Sequence, residues 1–186
     1  MAEAALAGGA TAVQLRAPEL TDARLEALAG EIAERCRATG ALFVVNDRVA
    51  VAASVGAGAH VGQADDPRAA REVLAPTAVL GVSVSTTDQA RAAAVAGADY
   101  LGVTVWATPT KPDAEPRGLE GLRTIAGETA LPVVGIGGVH AGNAANVLDA
   151  GAAGICVVSA VGAAPDPVRA TQALVDAVDR WEERKG

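Results

Sequence analysis

The stretch Leu131–Ser159, with the sequence LPVVGIGGVHAGNAANVLDAGAAGICVVS, decides the fold. Its pattern predicts a strand, a glycine turn, a helix, a glycine and a second strand. The first strand, Pro132–Ile136, is apolar and rich in β-branched residues, which is typical of a strand buried on both faces. A helix is expected over Asn143–Ala150 and the second strand over Ile155–Val158. A strand, helix and strand in this order form a βαβ unit, so the stretch indicates a parallel α/β sheet.

The ends of these two strands also predict a phosphate site. Gly137 and Gly138 follow the first strand, and Ser159 stands at the end of the second. Backbone N–H groups left open by glycine, together with one hydroxyl, suit the oxygens of a phosphate. In (β/α)₈ barrels a phosphate site often lies after the last two strands. An ordinary βαβ unit whose glycines serve only turns is the alternative that this stretch alone leaves open.

Composition narrows the class of protein. A chain of 186 residues, 51% of them hydrophobic, is long enough for one domain with a substantial core, so we expect a single domain over residues 1–186. The net charge of −7 argues against a nucleic-acid surface. No apolar run is long enough for a membrane span and no signal-peptide pattern opens the chain, so no membrane partner is expected. Cys36 and Cys156 fall at apolar positions, which favours free thiols in the cytoplasm.

Strands alternate with short helices along the whole chain. The recurring pattern is a helix end, then Gly-Ala or Gly-Gly-Ala, then an apolar strand, which is typical of consecutive βαβ units. Only seven strands are expected, and the chain opens in a predicted helix, AEAALAGG. The expected strands are Ala12–Arg16, Ala41–Val45, Ala59–Val61, Val79–Val82, Asp99–Thr104, Pro132–Ile136 and Ile155–Val158.

Hydrogen-bonding residues stand at or after the carboxyl end of every one of these strands. In a parallel α/β fold the ligand site lies at the carboxyl ends of the strands, so these groups are expected along one rim. They are Gln14, Arg16, Asn46, Asp47, Asp65, Ser83, Thr108, Thr110, Lys111, Gly137, Gly138 and Ser159.

Two carboxylates on this rim suit a metal ion. Asp47 and Asp65 follow consecutive strands, and Mg²⁺ usually takes one or two protein carboxylates together with phosphate oxygens. The alternatives are that Asp47 pairs with Arg48 and that Asp65 caps the helix beginning near Pro67.

Arg16 and Lys111 would supply the positive charge that an anionic substrate needs. Lys111 stands in the proline-rich stretch Ala107–Arg117, which predicts a mobile loop, and a solvated loop charge is its alternative. His60 could orient a neighbouring side chain, although a satisfied core histidine is the simpler interpretation.

Taken together, the motifs identify a family. They are VQLR at Val13–Arg16, NDR at Asn46–Arg48, HVGQAD at His60–Asp65, TPTK at Thr108–Lys111, GIGG at Gly135–Gly138 and VVSA at Val157–Ala160. This set, in this order over nearly the whole chain, resembles the thiamine phosphate synthase family. The resemblance implies a TIM-type (β/α)₈ barrel that joins hydroxymethylpyrimidine pyrophosphate to thiazole phosphate, giving thiamine phosphate and pyrophosphate.

The resemblance also implies roles for the rim residues. Asp47 and Asp65 would hold Mg²⁺ on the pyrophosphate, and Arg16, Asn46 and Lys111 would contact that leaving group. Gln14 and Ser83 would line the pyrimidine side. The thiazole phosphate would be held by Thr108, Thr110, Gly137, Gly138, Val158 and Ser159.

The expected chemistry needs no protein nucleophile or general base. The electron-rich pyrimidine expels pyrophosphate to leave a stabilised methylene cation, and the thiazole nitrogen attacks that carbon. Mg²⁺ and cationic side chains would stabilise the negative charge that develops on the leaving group, and alignment of the two rings would supply much of the remaining catalysis.

The chain departs from the family pattern in two places. The family usually carries a lysine two residues after the QLR arginine, where this chain has Pro18, and the first barrel strand is not found. The loss of the lysine favours a thiazole tautomerase of the same family, whereas retention of Asp47, Asp65 and the Thr-x-Thr-Lys loop favours the synthase. The short N-terminus leaves a non-catalytic phosphate-binding paralogue as a further alternative. The missing strand predicts a gap between the Ala12–Arg16 and Ile155–Val158 strands, open or covered by another chain of a homo-oligomer, rather than direct closure of a seven-stranded barrel.

Overall fold

A computed structural model describes residues 1–108 and 115–186 of the chain. Within those residues seven parallel strands form one sheet, in which each strand pairs with the next along the sequence. The strands are β1 (Ala12–Leu15), β2 (Leu42–Asn46), β3 (Gly58–Val61), β4 (Leu80–Ser83), β5 (Tyr100–Thr104), β6 (Val133–Ile136) and β7 (Gly154–Cys156).

Helices connect the strands and cover the outside of the sheet. They are α1 (Ala2–Ala7), α2 (Asp22–Thr39), α3 (Val49–Ser54), α4 (Pro67–Val73), α5 (Thr87–Val95), α6 (Gly118–Gly127), α7 (Ala144–Asp149), α8 (Ser159–Gly162) and α9 (Pro167–Glu183). A search of the described residues finds no helix long and apolar enough to cross a membrane.

Strand, helix and strand in strict succession, with sequential parallel pairing, is the winding of a TIM barrel that lacks one strand. The sheet ends at β1 on one side and at β7 on the other, and these two strands are not paired within the described part of the chain. The fold class is therefore confirmed, and so is the gap next to β1. Because α1 precedes β1, the missing strand would lie between β7 and β1.

The outer layer between strands and helices forms the hydrophobic core. Leu80, Leu101 and Val133 are almost completely buried in it. A Cβ added at Gly135 would lie 2.3 Å from Cγ1 of Val147, so α7 packs directly against the backbone of β6. Close packing of this kind fixes the position of the turn between β6 and α7, where the phosphate site is predicted.

Strand boundaries differ from the expectations by one or two residues, most of all at β7. β1 ends at Leu15, which leaves Arg16 in the following turn, and β7 ends at Cys156 rather than at Val158. An edge strand has a partner on one side only, so its ladder of hydrogen bonds ends early. The short helices α3 and α8, which the sequence pattern did not reveal, begin soon after β2 and β7 end.

Candidate active site

An open cleft of about 310 Å³ lies at the carboxyl ends of the first four strands. Five of the predicted residues line it together, which confirms that these strand ends converge on one rim; they are Arg16, Asn46, Asp47, Asp65 and Ser83. His60, Gly62, Gln63 and Ala64 complete the lining.

The pairing of β2 with β3 brings the two carboxylates to the same end of the sheet. Asn46 stands opposite His60 in this ladder, and the Asp47 backbone N–H donates a hydrogen bond of 2.9 Å to the His60 carbonyl. Gly62 and Asp65 follow within five residues of His60, so the turn after β3 folds beside the end of β2.

Asp47 occupies an unfavourable backbone conformation. Its φ is +60°, and it is the one non-glycine residue of the described chain with a positive φ. This region of φ is destabilising for an L-residue with a Cβ, although aspartate tolerates it better than most. Backbone strain of this kind is concentrated at functional sites, where surrounding structure holds it in place.

The proposed ion pair between Asp47 and Arg48 is wrong. The Arg48 guanidinium instead bonds to the carboxylate of Asp22 at the start of α2. The Asp47 side chain is exposed and faces the cleft.

The alternative role of Asp65 as a helix cap is also wrong. Asp66 is the N-cap of α4, and its Oδ1 accepts a hydrogen bond of 2.9 Å from the Arg68 N–H. The Asp65 Oδ2 accepts a hydrogen bond of 2.7 Å from the Gly62 N–H. This bond keeps the carboxylate at the wall of the cleft. A Cβ at Gly62 would lie 3.2 Å from that same oxygen, so the glycine leaves room for it.

The donor set of the cleft suits magnesium with phosphate oxygens. Mg²⁺ prefers oxygen ligands, and one or two carboxylates with substrate phosphate oxygens and water complete its octahedron. The described residues contain no group of three or more His, Cys, Asp and Glu side chains placed to hold a metal ion. Asp47 and Asp65 could supply two ligands of such an ion, and the other positions would then be left to phosphate oxygens and water.

His60 bridges two partners at the base of the cleft. Its Nδ1 lies 2.9 Å from the Tyr100 hydroxyl oxygen, and its Nε2 lies 2.9 Å from Oγ of Ser83. These two bonds satisfy the imidazole, and they also allow His60 to orient Ser83, so both interpretations of this residue stay open. Tyr100 was not among the predicted site residues; the alternation Tyr100–Gly102–Thr104, which places all three on the inner face of β5, was the available signal.

The predicted phosphate site follows β6 and β7. Ile136 pairs with Cys156, so the turns that follow these strands leave the sheet side by side. Gly137 and Gly138 have φ values of +90° and +64°. The Gly138 carbonyl accepts a hydrogen bond of 3.0 Å from the Asn143 side-chain amide, which ties the turn to the start of α7.

A Cβ would clash with the backbone at Gly137 and would make a tight contact at Gly138. A Cβ at Gly137 would lie 2.5 Å from the carbonyl oxygen of Trp106, and one at Gly138 would lie 3.1 Å from Cβ of the same residue. Val158 and Ser159 are exposed at the end of β7, with Ser159 as the first residue of α8.

The remaining predicted residues have separate surroundings. Gln14 points into the barrel from β1 and hydrogen-bonds the phenol of Tyr100, and Thr108 is half-buried beyond β5. Thr110, Lys111 and most of the expected Ala107–Arg117 loop lie outside the described residues. Pro18 is exposed in the turn after β1, so no side-chain amine is present at the position of the family lysine.

Comparisons with known proteins agree with this geometry. The family model described as thiamine monophosphate synthase matches residues 1–161. A thiamine-phosphate synthase of Moorella thermoacetica is 52% identical over 95% of this chain and 86% of its own length. One from Roseiflexus castenholzii is 49% identical over 93% of this chain and 78% of its own length.

Solved structures give the same result. A thiamine phosphate pyrophosphorylase from Pyrococcus furiosus superposes with a TM-score of 0.91 at 40% identity, covering 97% of this chain and 88% of that one. The 3-hexulose-6-phosphate synthase of Salmonella typhimurium, at 16% identity and a TM-score of 0.75, shares the fold alone. With a family model over most of its length and relatives at about half identity, the chain belongs to the thiamine monophosphate synthase family.

Proposed function

We propose that the cleft at the ends of β1–β4 is where this chain carries out the reaction of its family. The chain is a thiamine phosphate synthase, a transferase that joins hydroxymethylpyrimidine pyrophosphate and thiazole phosphate to give thiamine phosphate and pyrophosphate. The observation that supports this site is the convergence of Asp47 and Asp65 with Arg16 and Asn46 around one cleft.

The pyrophosphate end of the first substrate fits the acidic side of the cleft. Bound Mg²⁺ would neutralise charge on the leaving group, and Asp47 and Asp65 are the residues that would hold it. The Arg16 guanidinium and the Asn46 amide line the same cleft and would donate hydrogen bonds to the departing oxygens. Lys111 is proposed as a second cation from its place in the TPTK motif.

Ser83 and Gln14 would contact the pyrimidine. Ser83 lines the cleft and Gln14 stands on the inner face of β1. Alignment of the two rings accounts for much of the rate, because the substrate supplies both the leaving group and the attacking nitrogen. The protein forms no covalent bond to either substrate in this reaction.

The thiazole phosphate would bind at the other side of the rim, over the turns that follow β6 and β7. Gly137 and Gly138 allow a phosphate to approach the backbone, and the hydroxyl of Ser159 would donate to it. Val158, Thr108 and Thr110 are proposed to complete this site.

A thiazole tautomerase activity is the second candidate, and Pro18 is the observation that favours it. A tautomerase needs no site for pyrophosphate. Asp47 and Asp65 instead favour the synthase. Both carboxylates are exposed on the cleft, because Arg48 pairs with Asp22 and Asp66 caps α4.

One assay distinguishes the synthase activity from the tautomerase activity. The chain is incubated with both synthase substrates and Mg²⁺, and in parallel with the carboxythiazole phosphate alone. A synthase forms thiamine phosphate and pyrophosphate in equal amounts only when both substrates are present. Isomerisation of the carboxythiazole phosphate without condensation would identify a tautomerase, and neither product would identify a non-catalytic paralogue.

The proposed setting of the enzyme is the cytoplasm. Cys36 and Cys156 are free thiols, which a reducing compartment maintains. A homo-oligomer stays a prediction, to be checked by the mass of the protein in solution.

A further inference from the structure

The inner face of the barrel carries a row of polar and aromatic side chains. In β5, Leu101 and Val103 are fully buried in the outer core, whereas Tyr100 points to the inside of the barrel. His60 of β3 and Gln14 of β1 meet Tyr100 there. Alternate strands commonly contribute one layer of a barrel interior, and here β1, β3 and β5 do so.

Two glycines make room for the rings of this layer. A Cβ at Gly81 would lie 2.1 Å from Cζ of Tyr100, and a Cβ at Gly102 would lie 3.0 Å from Cε1 of His60. The ring centroids of His60 and Tyr100 are 5.4 Å apart, with an angle of 39° between the planes. The Tyr100 ring thus needs a glycine at position 81, and the His60 ring packs tightly against the backbone of Gly102.

The hydrogen bonds of this layer form a chain that ends at the cleft. Gln14 bonds to the Tyr100 hydroxyl, this hydroxyl lies 2.9 Å from His60 Nδ1, and His60 Nε2 lies 2.9 Å from Ser83 Oγ. Burial, more than any other influence, raises the pKa of Tyr100, so the phenol stays neutral and keeps its proton.

The identity of the donors determines which atom donates and which accepts in each hydrogen bond of this series. The Gln14 amide donates to the phenol oxygen, which leaves the phenol proton for Nδ1 of His60. A neutral imidazole that accepts at Nδ1 carries its proton on Nε2 and donates it to Ser83. The Ser83 oxygen is then an acceptor from His60, and its own proton is free to point into the cleft.

We propose that His60 and Tyr100 are positioning residues, which orient the Ser83 hydroxyl as a hydrogen-bond donor to an acceptor atom of the bound substrate. The role rests on the proposed function, in which Ser83 contacts the pyrimidine. An acceptor such as a ring nitrogen fits this direction, and a donor group at the same place does not. Neither positioning residue has to touch the reacting atoms.

The first test measures which ring nitrogen of His60 carries the proton, and it does not depend on enzymatic activity. The chain has two histidines, His60 and His140, so nitrogen-15 NMR of labelled protein at about pH 8, where a free imidazole is neutral, gives two assignable rings. We expect His60 to carry its proton on Nε2 in the wild type. In Tyr100→Phe we expect the proton to be no longer confined to that nitrogen. His140, whose Nδ1 accepts from the Gly142 N–H at 3.1 Å, is the internal control and stays unchanged. A proton on Nδ1 of His60 in the wild type overturns the proposal.

The second test is a double-mutant cycle on turnover. Tyr100→Phe removes one hydroxyl and keeps the ring, and we expect kcat/KM for the pyrimidine substrate to fall by roughly 3- to 10-fold, the effect of one hydrogen bond. In a Ser83→Ala background the same change has no further effect, because it acts through Ser83. The KM for thiazole phosphate stays unchanged. Losses that multiply in the double variant overturn the proposal.

A control separates positioning from general destabilisation. Thr171→Val removes another buried hydroxyl, which bonds to the Pro167 carbonyl inside α9, and leaves kcat/KM unchanged. An inactive wild type contradicts the proposed function, while the NMR result still decides the role of His60 and Tyr100.

Discussion

At the scale of single residues, Asp47 combines backbone strain with an exposed carboxylate. We expect Asp47→Ala and Asp47→Asn to lose turnover alike, because each removes a carboxylate that we propose holds Mg²⁺. Their stabilities should differ, since asparagine tolerates a positive φ and alanine does not. Asp47→Ala should have a free energy of unfolding about 1 kcal/mol below that of Asp47→Asn, measured by urea denaturation. Equal stability of the two variants would show that the conformation carries no strain.

Ser159 is the residue whose hydroxyl is assigned to the thiazole phosphate. Ser159→Ala should weaken thiazole phosphate binding by about 1–3 kcal/mol, the range for a hydrogen bond to a charged group. Calorimetric titration with thiazole phosphate measures this change. The control is Ser54→Ala, which removes a hydroxyl that bonds the Val51 carbonyl at the end of α3. If both variants bind as the wild type does, the phosphate lies elsewhere.

The side-chain contacts of the site were less predictable than the residues themselves. The motifs predicted Asp47 and Asp65, but the cap of α4 was considered only for Asp65, and the structure has the next residue, Asp66, in that position. The partner of Arg48 lies 26 residues away in α2, which no local pattern reveals. The His60–Tyr100 contact spans 40 residues and depends on the register of β3, β4 and β5.

At the scale of elements, the turn between β6 and α7 depends on glycine. Gly138→Ala should lower the free energy of unfolding by about 1 kcal/mol or more, because φ is +64° and the Cβ would lie 3.1 Å from Cβ of Trp106. It should also weaken thiazole phosphate binding. Thermal unfolding and calorimetry check the two effects.

A glycine elsewhere in the chain provides the matched control for that substitution. Gly127, at the end of α6, has open space within 4 Å and no positive φ. Gly127→Ala should therefore stabilise the chain by about 0.5–1 kcal/mol. A Gly138→Ala variant as stable as the wild type, with normal phosphate binding, would contradict the role of the turn.

The elements themselves follow closely from local sequence. Strand and helix order was predictable because apolar strands, caps and glycine stops recur: the helix stops Gly40, Gly56, Gly97 and Gly151 all have positive φ. The end of β7 was not, because this edge strand loses its ladder at Cys156, opposite the last residue of its single neighbour β6. α3 and α8 are too short to show a helical period.

At the scale of the whole molecule, the gap between β7 and β1 is the main departure from a closed barrel. Both edges expose backbone N–H and C=O groups. The start of the chain is close to this gap, because a Cβ at Gly162 of α8 would lie 2.8 Å from Cε of Met1. A segment ahead of Met1 would therefore begin on the β7 side of the gap.

This placement gives a prediction for an extended chain. A strand-forming segment joined ahead of Met1 should raise the melting temperature and the turnover, because it pairs both edges and supports Arg16 and Ser159. A glycine–serine segment of the same length is the control and should change neither. Equal behaviour of the two extended chains would show that the gap needs no strand, and the mass in solution would show whether a second chain covers it.

The central claim is that Asp47 and Asp65 hold Mg²⁺ on the pyrophosphate in the cleft. The most direct measurement is thiamine phosphate formation against Mg²⁺ concentration for the wild type, Asp65→Asn and Asp66→Asn. Asp66 differs from Asp65 in capping α4, where asparagine serves equally well, so its variant is the control. We expect saturable dependence on Mg²⁺ in the wild type and in Asp66→Asn, no product in excess chelator, and turnover in Asp65→Asn that falls far more than thiazole phosphate binding does. Equal turnover with and without chelator, or an Asp65→Asn enzyme as active as Asp66→Asn, would contradict the account.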